Sequence, residues 1–441
     1  MIEPRTLKGF RDYLPEAMIP RERLMEISRS VYRGYGFCPI DTPALEHADV
    51  LCGKGGDEAD KQMFRFEDHG KRDVGMRFDL TVPLARFVAK HGNDLGMPFK
   101  RYHIATVWRG EKPQAGRYRE FVQCDFDTIG TTSMASDIET ALVINDLMRA
   151  IGFEEFAIRT NNRKVLNGVL EQNNLKEHSV VVLRALDKLP KIGPDKVRDE
   201  MMSTSGASAA QVDEVLKLTT IKGNNQEILK QLEPLCAKNE LAREGLDQLT
   251  QLVDATAAVG ITDDNFQVDV SIARGLDYYT GTIFETFLDD LPGIGSVCSG
   301  GRYDNLAQLY TKQELPGIGA SLGLDRLLTA MQELGMIEPT RTTADVLVAQ
   351  FDAGSLNEYL KIAAALRGQG IATEVFPDAK KLKAQFKYAD RRGFRAVVLA
   401  GKDELTSGRL NVKWLEDGSQ SEFPLSGDLA DLGQWLQQRL G

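Results

Sequence analysis

The sequence predicts a mixed α/β (α+β) protein, and three features of the chain support this prediction. Two strand-like segments enclose a polar loop near residue 110, helical segments fill residues 165–260, and strands alternate with helices after residue 342. The chain has 441 residues, whereas a domain holds roughly 150 residues. We therefore expect a sheet-containing core, a helical insertion and a separate C-terminal α/β domain.

The N-terminal part is expected to begin with an amphipathic helix over residues 20–35. Pro20 suits its first turn, and Gly34 and Gly36 suit its end. Apolar side chains recur at steps of three and four residues, as one helix face requires, at Leu24, Ile27, Val31 and Tyr35. The next segment, FCPIDTPALE, contains two prolines, which fit a strand at the edge of a sheet or at an interface.

Two longer strands, 101–109 and 119–129, are predicted on either side of the polar loop GEKPQAGRY. Alternation along the second strand places different side chains on its two faces. The apolar face carries Val122, Cys124 and Phe126, and the opposite face carries Arg119, Phe121, Gln123, Asp125 and Asp127. The pattern alone does not decide whether this second face contacts solvent or lines a site.

The middle of the chain, residues 165–260, has helical segments separated by Gly, Pro and Asn, and within it only VVVL at 180–183 has a strand pattern. Strands and glycine-rich segments then follow at 266–273, 281–287, 293–302 and 316–323. The last of these leads into a helix with an apolar side formed by Leu324, Leu327, Leu328, Met331 and Leu334.

A segment of turn composition, MIEPTRTTA at 336–344, marks a domain boundary. Beyond it, the strand-like segments ADVLVAQF, IATEVF and FRAVVLAG alternate with helices expected near 355–369, 379–392 and 428–439. This alternation indicates an α/β domain of roughly 100 residues with a partly parallel sheet.

The composition excludes several classes of protein. With 42% hydrophobic and 27% charged residues the chain is not mostly disordered, and a formal net charge of −10 argues against a protein that coats nucleic acid through bulk charge. The five cysteines form no Cys-x-x-Cys pair, which argues against a disulfide framework or a structural zinc site. The N-terminus lacks the apolar core of a secretory signal, and no apolar run is long enough to span a bilayer. We therefore expect a cytoplasmic protein.

The segment ARGLDYYTG at 273–281 combines a guanidinium, a carboxylate and two phenols between glycines, directly after an apolar strand. Arg274 could bind a phosphate or a carboxylate through its planar fork, and the glycines would let a ligand approach the backbone. The alternative interpretation is a structural turn closed by a salt bridge between Arg274 and Asp277.

The polar loop carries five charged residues, Arg109, Glu111, Lys112, Arg117 and Arg119. They could bind a polyphosphate and its metal ion, or form an ordinary exposed turn. Arg326 lies near the start of the helix after GIGASLG, where a cation opposes the helix dipole unless an anion lies between them. The segment lacks the Gly-Lys-Ser/Thr of a P-loop, and no dinucleotide fingerprint occurs near the N-terminus.

Lys380, Lys383, Lys387 and Arg391 follow at steps of three, four and four, and are predicted to share one helix face. We name these four residues the basic stripe. A solvated face and a phosphate-binding face both remain possible interpretations. Taken together, the residue patterns indicate a nucleotide-using enzyme with a local nucleic-acid-binding patch, and they do not identify its reaction.

These motifs resemble the histidyl-tRNA synthetase family of class II aminoacyl-tRNA synthetases. TLKGFRDYLP resembles its N-terminal segment, GFCPIDTPALE its dimer-interface motif, and VWRGEKPQAGRYREFVQCDFDTIG and GIGASLGLDRL the second and third class II motifs. ARGLDYYTGTIFE and SGGRYDNL resemble signatures specific for histidine. The resemblance covers nearly the whole chain. It implies an antiparallel-sheet catalytic core at 1–164 and 262–335, a helical insertion at 165–261 and an anticodon-binding domain at 342–441.

The resemblance also implies the reaction. Members of the family activate L-histidine with ATP to histidyl-adenylate and transfer histidine to the 3′ end of histidine tRNA. ATP is a substrate, Mg²⁺ is expected to bridge its phosphates without a metal-binding motif in the protein, and the enzyme is expected to be a cytoplasmic homodimer. The basic stripe is the expected contact with the tRNA.

The site residues implied by the resemblance fall into two groups. Catalytic roles are expected for Arg274, which would stabilise charge on the α-phosphate, and for Arg109, which would hold the histidine carboxylate against that phosphate. Histidine binding is expected at Asp79, Thr81, Arg109, Gln123, Asp127, Arg274, Tyr278, Tyr279 and Tyr303. ATP binding is expected at Arg109, Glu111, Arg117, Phe121 and Arg326.

Two alternatives share this fold. One is the non-catalytic regulatory subunit of ATP phosphoribosyltransferase, which usually lacks the C-terminal domain and the intact arginine motifs. The other is a synthetase-like module with an inactive site. This chain has the C-terminal segment and the intact motifs, which argues against the first, and the presence of Arg109, Arg274 and Arg326 argues against the second. The two tyrosine-containing signatures disfavour a class II synthetase for a different amino acid.

Overall fold

The computed structural model describes residues 1–53, 62–113, 116–273, 278–337 and 340–440. The chain divides into two compact units: Met1–Arg11 with Arg23–Met336, and Asp12–Glu22 with Ile337–Gly441. Together they confirm the mixed α/β class, because the first unit contains a large, mainly antiparallel sheet and helices, and the second contains a smaller sheet with helices.

Eleven strands are described in residues 1–336: β1 (Cys38–Pro39), β2 (Leu45–His47), β3 (Arg65–Glu67), β4 (Asp73–Met76), β5 (Phe99–Trp108), β6 (Glu120–Ile129), β7 (Phe156–Asn162), β8 (Phe266–Val268), β9 (Thr282–Leu288), β10 (Cys298–Tyr303) and β11 (Gly317–Gly323). The helices described there are α1 (Pro15–Gly34), α2 (Ala48–Cys52), α3 (Thr81–His91), α4 (Met134–Ile151), α5 (Arg163–Gln172), α6 (Ser179–Leu186), α7 (Leu189–Ser205), α8 (Ala209–Leu216), α9 (Asn225–Cys236), α10 (Glu240–Ala258) and α11 (Leu324–Glu333). Short 3₁₀ helices occupy Lys176–His178, Lys217–Thr220, Pro292–Ile294 and Leu306–Leu309.

The large sheet has eight strands in the order β1-β5-β6-β11-β10-β9-β7-β8. Its five central pairings are antiparallel, and the two outer pairings, β1 with β5 and β7 with β8, are parallel. The two strands predicted around the polar loop are β5 and β6, and the proline-containing segment forms the edge strand β1, as expected. A separate sheet of three strands has the order β2-β4-β3.

In the helical part of the first unit, local sequence signals define where two helices begin. Ser208 and Asn224 each form a capping box with the residue three positions later, which satisfies backbone N–H groups at the starts of α8 and α9. Helices α5 to α10 occupy this part of the chain, where a helical insertion was expected. The exact limits of that insertion stay a prediction.

One strand-like pattern forms no strand, and one predicted strand is shorter than expected. The VVVL segment lies inside α6, because Val182 and Leu183 are buried in a helical core that overrides the strand preference of β-branched residues. The strand expected at 266–273 ends at Val268. Asp269 then accepts hydrogen bonds from the backbone N–H (3.0 Å) and the hydroxyl (2.6 Å) of Ser271, and this turn replaces further pairing with β7.

The second unit contains a five-stranded sheet in the order β13-β12-β14-β15-β16, formed by β12 (Val346–Val348), β13 (Thr373–Val375), β14 (Ala396–Leu399), β15 (Arg409–Trp414) and β16 (Gln420–Pro424). Its helices are α12 (Leu356–Gly368), α13 (Leu382–Arg392), α14 (Lys402–Ser407) and α15 (Ala430–Leu440), with a 3₁₀ helix at Ala353–Ser355. The three strands predicted from sequence are the parallel ones, and the antiparallel pair β15–β16 extends them.

Candidate active site

The polar face of β6 lies between β5 and β11, and register places its residues in rows across the three strands. Asp127 lies between Arg101 and Gly319, and Asp125 lies between His103 and Ser321. On the other face Val122, Cys124 and Phe126 are buried, as alternation predicted. The polar face of β6 therefore lines a site instead of contacting bulk solvent.

A cavity of about 340 Å³ opens over this face, a size within the usual range for small-molecule sites. The residues around it are Asp79, Thr81, Arg109, Gln123, Asp125, Asp127, Tyr278, Tyr279, Phe284, Glu285, Ser299, Gly300, Tyr303, Gly319, Ala320 and Ser321. Eight of the nine residues predicted to bind histidine belong to this set. The ninth, Arg274, lies outside the described residues.

Asp127 is held from two sides at the floor of the cavity. The Tyr303 hydroxyl donates a hydrogen bond to Asp127 Oδ1, and the guanidinium of Arg101, which is fully buried, places Nη2 at 2.6 Å from Oδ2. Burial raises the pKa of Asp127, whereas Arg101 and the Tyr303 hydrogen bond lower it. These contacts fix the orientation of a carboxyl group that faces the cavity.

Asp79 and Gln123 offer unsatisfied oxygen atoms to the cavity. Asp79 accepts a hydrogen bond from the backbone N–H of Val82 (3.0 Å), and burial raises its pKa. Gln123 donates to the Ser321 hydroxyl (2.9 Å). Within the described part of the chain, Asp79 Oδ2 and Gln123 Oε1 are buried without a hydrogen-bond partner. Buried acceptors of this kind are costly unless a ligand supplies a donor.

Three tyrosines form an aromatic wall at the cavity. The ring of Tyr278 meets those of Tyr279 and Tyr303 edge to face, at centroid distances of 5.2 and 5.8 Å. Burial raises the pKa of all three hydroxyls, so each stays protonated at neutral pH. Such a wall can pack against a flat ring and also donate hydrogen bonds to it.

Arg109 connects the cavity to a second group of side chains. Its Nε donates to the Phe78 carbonyl (2.9 Å), its guanidinium lies over the Phe121 ring at 5.2 Å from the centroid, and Nη1 is 3.9 Å from Glu111 Oε1. Of the residues predicted to bind ATP, only Arg109 also lines the cavity. This arrangement leaves an aromatic face and charged groups next to the cavity.

The structure brings Arg117 and Arg109 close enough to Arg326 to affect its pKa. Burial lowers the pKa of Arg326, and repulsion by Arg117 and Arg109 lowers it further, whereas Glu285 and Glu111 raise it. Arg326 lies in the first turn of α11 and donates a hydrogen bond to the Ser296 carbonyl. A group of cations at a helix N-terminus suits a polyanion.

Sequence reasoning missed several cavity residues and the buried Arg101 that pairs with Asp127. Alternation had already placed Asp125 on the polar face of β6, but no motif pointed to it. Arg101 required knowledge of the β5–β6 register, and Glu285 and Ser299 required the β9–β10 pairing, which local pattern does not reveal.

The basic stripe was predicted to lie on a single helix face, and this was wrong for one residue. Helix α13 begins at Leu382 because Lys381 has an extended backbone (φ −55°, ψ 136°), so Lys380 precedes the helix and pairs with Asp378 at 3.0 Å. Lys383, Lys387 and Arg391 lie on the helix, and all four residues are exposed. The apolar side chains of Leu382, Phe386 and Ala389 on the same helix pack into a hydrophobic core of the second unit.

Neither a metal-binding cluster nor a membrane-spanning helix occurs among the described residues. In the described ranges no three His, Cys, Asp or Glu side chains come together as a metal-binding group. No helix among those described combines the length and apolarity needed to cross a membrane.

Two protein-family models match this chain, one over its N-terminal part and one over its C-terminal part. A family model described as "Histidyl-tRNA synthetase" matches residues 9–327, and one described as "Anticodon binding domain" matches residues 345–439. The histidine–tRNA ligase of Rhodopirellula baltica is 57% identical over 431 residues, covering 98% of each chain. That of Wolinella succinogenes is 45% identical, covering 95% of this chain and 96% of its own.

Solved structures agree with these relatives. The crystal structure of histidyl-tRNA synthetase from Nostoc sp. PCC 7120 superposes with a TM-score of 0.90 at 33% identity, covering 100% of both chains. A Bacillus halodurans structure named ATP phosphoribosyltransferase regulatory subunit/histidyl-tRNA synthetase has a TM-score of 0.74 at 21% identity, covering 88% of this chain and 97% of its own, which shows a shared fold only. The chain belongs to the histidyl-tRNA synthetase family, the class II aminoacyl-tRNA synthetases that activate histidine with ATP and charge tRNA with it.

Proposed function

We propose that this chain binds histidine in the cavity, activates it with ATP at the neighbouring arginines, and transfers it to histidine tRNA. The observation that carries the proposal is that one cavity brings together Asp79, Gln123, Asp127 and three tyrosines from separate parts of the sequence. Family membership supplies the reaction, and the cavity supplies a set of groups that fits the substrate.

The proposed roles in histidine binding follow from hydrogen-bond chemistry. Asp79, Thr81 and Gln123 receive the α-amino group, since an ammonium has three donors and this part of the cavity offers unpaired acceptor oxygens. Asp127, Tyr279 and Tyr303 surround the imidazole ring, with Tyr278 beside it. A pocket whose polar groups need matching partners rejects amino acids that lack them.

The proposed roles in ATP binding use the second group of side chains. Phe121 stacks on adenine, Glu111 and Arg117 contact the phosphate tail, and Arg326 contacts the γ-phosphate or the other face of adenine. Arg109 spans both substrates and holds the carboxylate of histidine against the α-phosphate. Arg274, outside the described residues, is assigned the same catalytic role that the motif implies.

Catalysis then depends on position and charge. A carboxylate oxygen of histidine attacks the α-phosphorus, the bond to pyrophosphate breaks, and Arg109 and Arg274 offset the negative charge that develops on the phosphate oxygens. In the second step the terminal ribose hydroxyl of the tRNA attacks the carbonyl carbon of the adenylate, and AMP leaves.

The carboxylates of Glu111 and Glu285 suit Mg²⁺ that is carried by ATP. Both lie close enough to Arg326 to influence its pKa, and Mg²⁺ commonly uses one or two carboxylates together with substrate phosphates. Bound there, the ion would neutralise phosphate charge. The two glutamates would orient it.

Three further assignments complete the proposal. The basic stripe contacts the tRNA backbone, since its four cations are exposed. The protein is a homodimer, for which the exposed apolar side chains Leu45 and Phe66 on the small sheet are supporting evidence. It acts in the cytoplasm, where tRNA charging serves translation. Sedimentation analysis tests the dimer, since a monomer at micromolar concentration would contradict it.

Charging of histidine tRNA tests the proposed mechanism most simply. The wild-type protein should attach radiolabelled histidine to its tRNA in the presence of ATP and Mg²⁺. Arg274→Ala should lower adenylate formation at least about 100-fold, as expected for loss of a group that stabilises the transition state, while calorimetry still detects histidine binding. Wild-type adenylate formation by this variant would remove Arg274 from the proposed catalytic role.

A further inference from the structure

Asp125 is a buried carboxyl group that faces the substrate cavity, and the proposed mechanism does not use it. Its side chain is 2% exposed and lines the cavity together with Gln123 and Asp127, its neighbours on the same face of β6. Within the described chain, its Oδ1 atom is buried without a hydrogen-bond partner. Such an acceptor lowers stability unless something that binds in the cavity satisfies it.

The surroundings of Asp125 do not neutralise it as they neutralise Asp127. Arg101 Nη2 lies 2.6 Å from Asp127 Oδ2 but 4.0 Å from Asp125 Oδ2, so this buried guanidinium pairs mainly with Asp127. His103 opposes Asp125 across β5 but bonds to Asp41 (3.0 Å), and its low pKa, about 4 through burial, keeps it neutral. Among the described residues of β5 and β6, Asp125 and Asp127 therefore place two carboxyl groups next to Arg101, and Arg101 pairs closely with only one of them.

An imidazole ring is a suitable ligand for two neighbouring carboxyl groups of which only one is closely paired with a cation. It has two nitrogen atoms, and a neutral ring carries a proton on one of them. If Asp127 accepts from one nitrogen, the other must meet a group that can either donate or accept. A carboxyl group does both, because it donates when protonated and accepts when ionised. Burial raises the pKa of Asp125 to about 7, so both forms are accessible near neutral pH.

We propose that Asp125 is a specificity-determining residue whose carboxyl group hydrogen-bonds the second ring nitrogen of histidine. This rests on the proposed function, since it assigns the cavity to histidine. The ring and Asp125 hold one proton between them, and the hydrogen bond persists whichever of the two carries it. Asp127 and Asp125 then recognise both nitrogens, which distinguishes histidine from aromatic side chains of similar size that have no such pair.

Calorimetric binding of histidine to Asp125→Ala, Asp125→Asn and wild-type protein tests the inference. Loss of a charge-assisted hydrogen bond predicts a dissociation constant roughly tenfold to 100-fold higher for the alanine variant. The asparagine variant should recover most of the affinity, because its amide can still bond a ring nitrogen. The KM for ATP should stay unchanged in both. Cys124→Ala, next along β6 but facing away from the cavity, is the matched control and should bind histidine normally.

Two analogues separate direct recognition from a structural role. In 4-thiazolylalanine sulfur replaces the ring nitrogen distant from the side-chain attachment, and in pyrrol-3-ylalanine carbon replaces the nearer one. The alanine variant should lose affinity for histidine but not for the analogue that lacks the nitrogen facing Asp125. An equal loss for histidine and both analogues would overturn the inference, as would normal histidine binding by Asp125→Ala. Absence of histidine binding by the wild type would instead refute the proposed function.

Discussion

The mutual repulsion of Arg109, Arg117 and Arg326 indicates that an anionic ligand binds between them. Burial and the two neighbouring cations lower the pKa of the Arg326 guanidinium, so the fold bears electrostatic repulsion at this point. Functional sites often contain such unfavourable electrostatic interactions, because the bound ligand offsets them. A polyphosphate between the three side chains would do so.

Arg117→Ala should therefore raise the KM for ATP about tenfold or more, the usual effect of losing one charge-assisted hydrogen bond. Because Arg117 is exposed, the free energy of unfolding should change by less than about 0.5 kcal/mol. Lys112→Ala, an exposed cation in the same loop, is the control and should leave the KM for ATP near its normal value. Equal KM values for the three proteins in a pyrophosphate-exchange assay would exclude Arg117 from ATP binding.

The raised pKa of Asp125 also predicts that the stability of the protein depends on pH. Burial raises its pKa to about 7, Arg101 and a hydrogen bond with the Ser321 side chain lower it, and the carboxylates of Asp127 and Asp79 raise it further. An unfolded aspartate titrates near about 3.9, so the folded state binds the proton more tightly. The stabilisation is complete below about pH 4 and is lost as the pH rises through about 7.

Asp125→Asn cannot titrate, so its free energy of unfolding relative to wild type should increase between about pH 5 and about pH 8. Urea denaturation at a series of pH values measures this difference. His103 is present in both proteins, so its own lowered pKa cancels in the comparison. A difference that is constant or that decreases with pH would contradict a raised pKa for Asp125.

At the scale of the element, strand β11 contains glycine because its neighbours leave no space. A Cβ atom at Gly319 would lie 2.2 Å from the Phe126 carbonyl oxygen and 2.3 Å from Asp127 Oδ1. These distances are far below van der Waals contact, so the strand would have to shift. The absence of a side chain thus leaves room for the Asp127 carboxyl group.

Gly319→Ala should lower the free energy of unfolding by at least about 1 kcal/mol through overpacking and should raise the KM for histidine. Gly34→Ala, at the end of α1, is the control, since a Cβ there meets no atom within 4 Å. It should leave the unfolding transition and the KM almost unchanged. Chemical denaturation and exchange kinetics check both variants, and a stable, fully active Gly319→Ala protein would refute the packing argument.

The elements also show what can be predicted from sequence. Alternation along β6 was sufficient to separate its apolar face from its polar face, because side chains on a strand alternate strictly, but it did not show that the polar face lines a cavity. The place of Arg101 and Ser321 beside Asp127 and Asp125 was not predictable, because strand order and register depend on interactions between residues distant in sequence. Where packing overrides local preference, as for the VVVL segment in α6, a strand-like pattern does not form a strand.

At the scale of the whole molecule, the net charge of −10 hides opposite local charges. Three cations gather near the cavity in the first unit, and the basic stripe is exposed in the second. A negative net charge disfavours non-specific binding of nucleic acid, whereas a local cationic surface still allows a specific RNA to bind.

Replacement of Lys380, Lys383 and Lys387 by glutamine should weaken tRNA binding and make it less dependent on salt. The logarithmic salt slope should fall by about one unit for each lysine that no longer pairs with a phosphate. Pyrophosphate exchange without tRNA should be unaffected. Lys361→Gln and Lys402→Gln, exposed on α12 and α14, are the control. An unchanged salt slope in the triple variant, measured by filter binding, would place the tRNA-binding surface elsewhere.

The central claim is that the cavity selects histidine and presents it to ATP. Amino-acid-dependent exchange between ATP and labelled pyrophosphate, measured separately with each of the twenty standard amino acids, tests it most directly. We predict that histidine alone supports exchange, because Asp127, Tyr279 and their neighbours match an imidazole ring. Absence of exchange with histidine, or equal exchange with another amino acid, would contradict it.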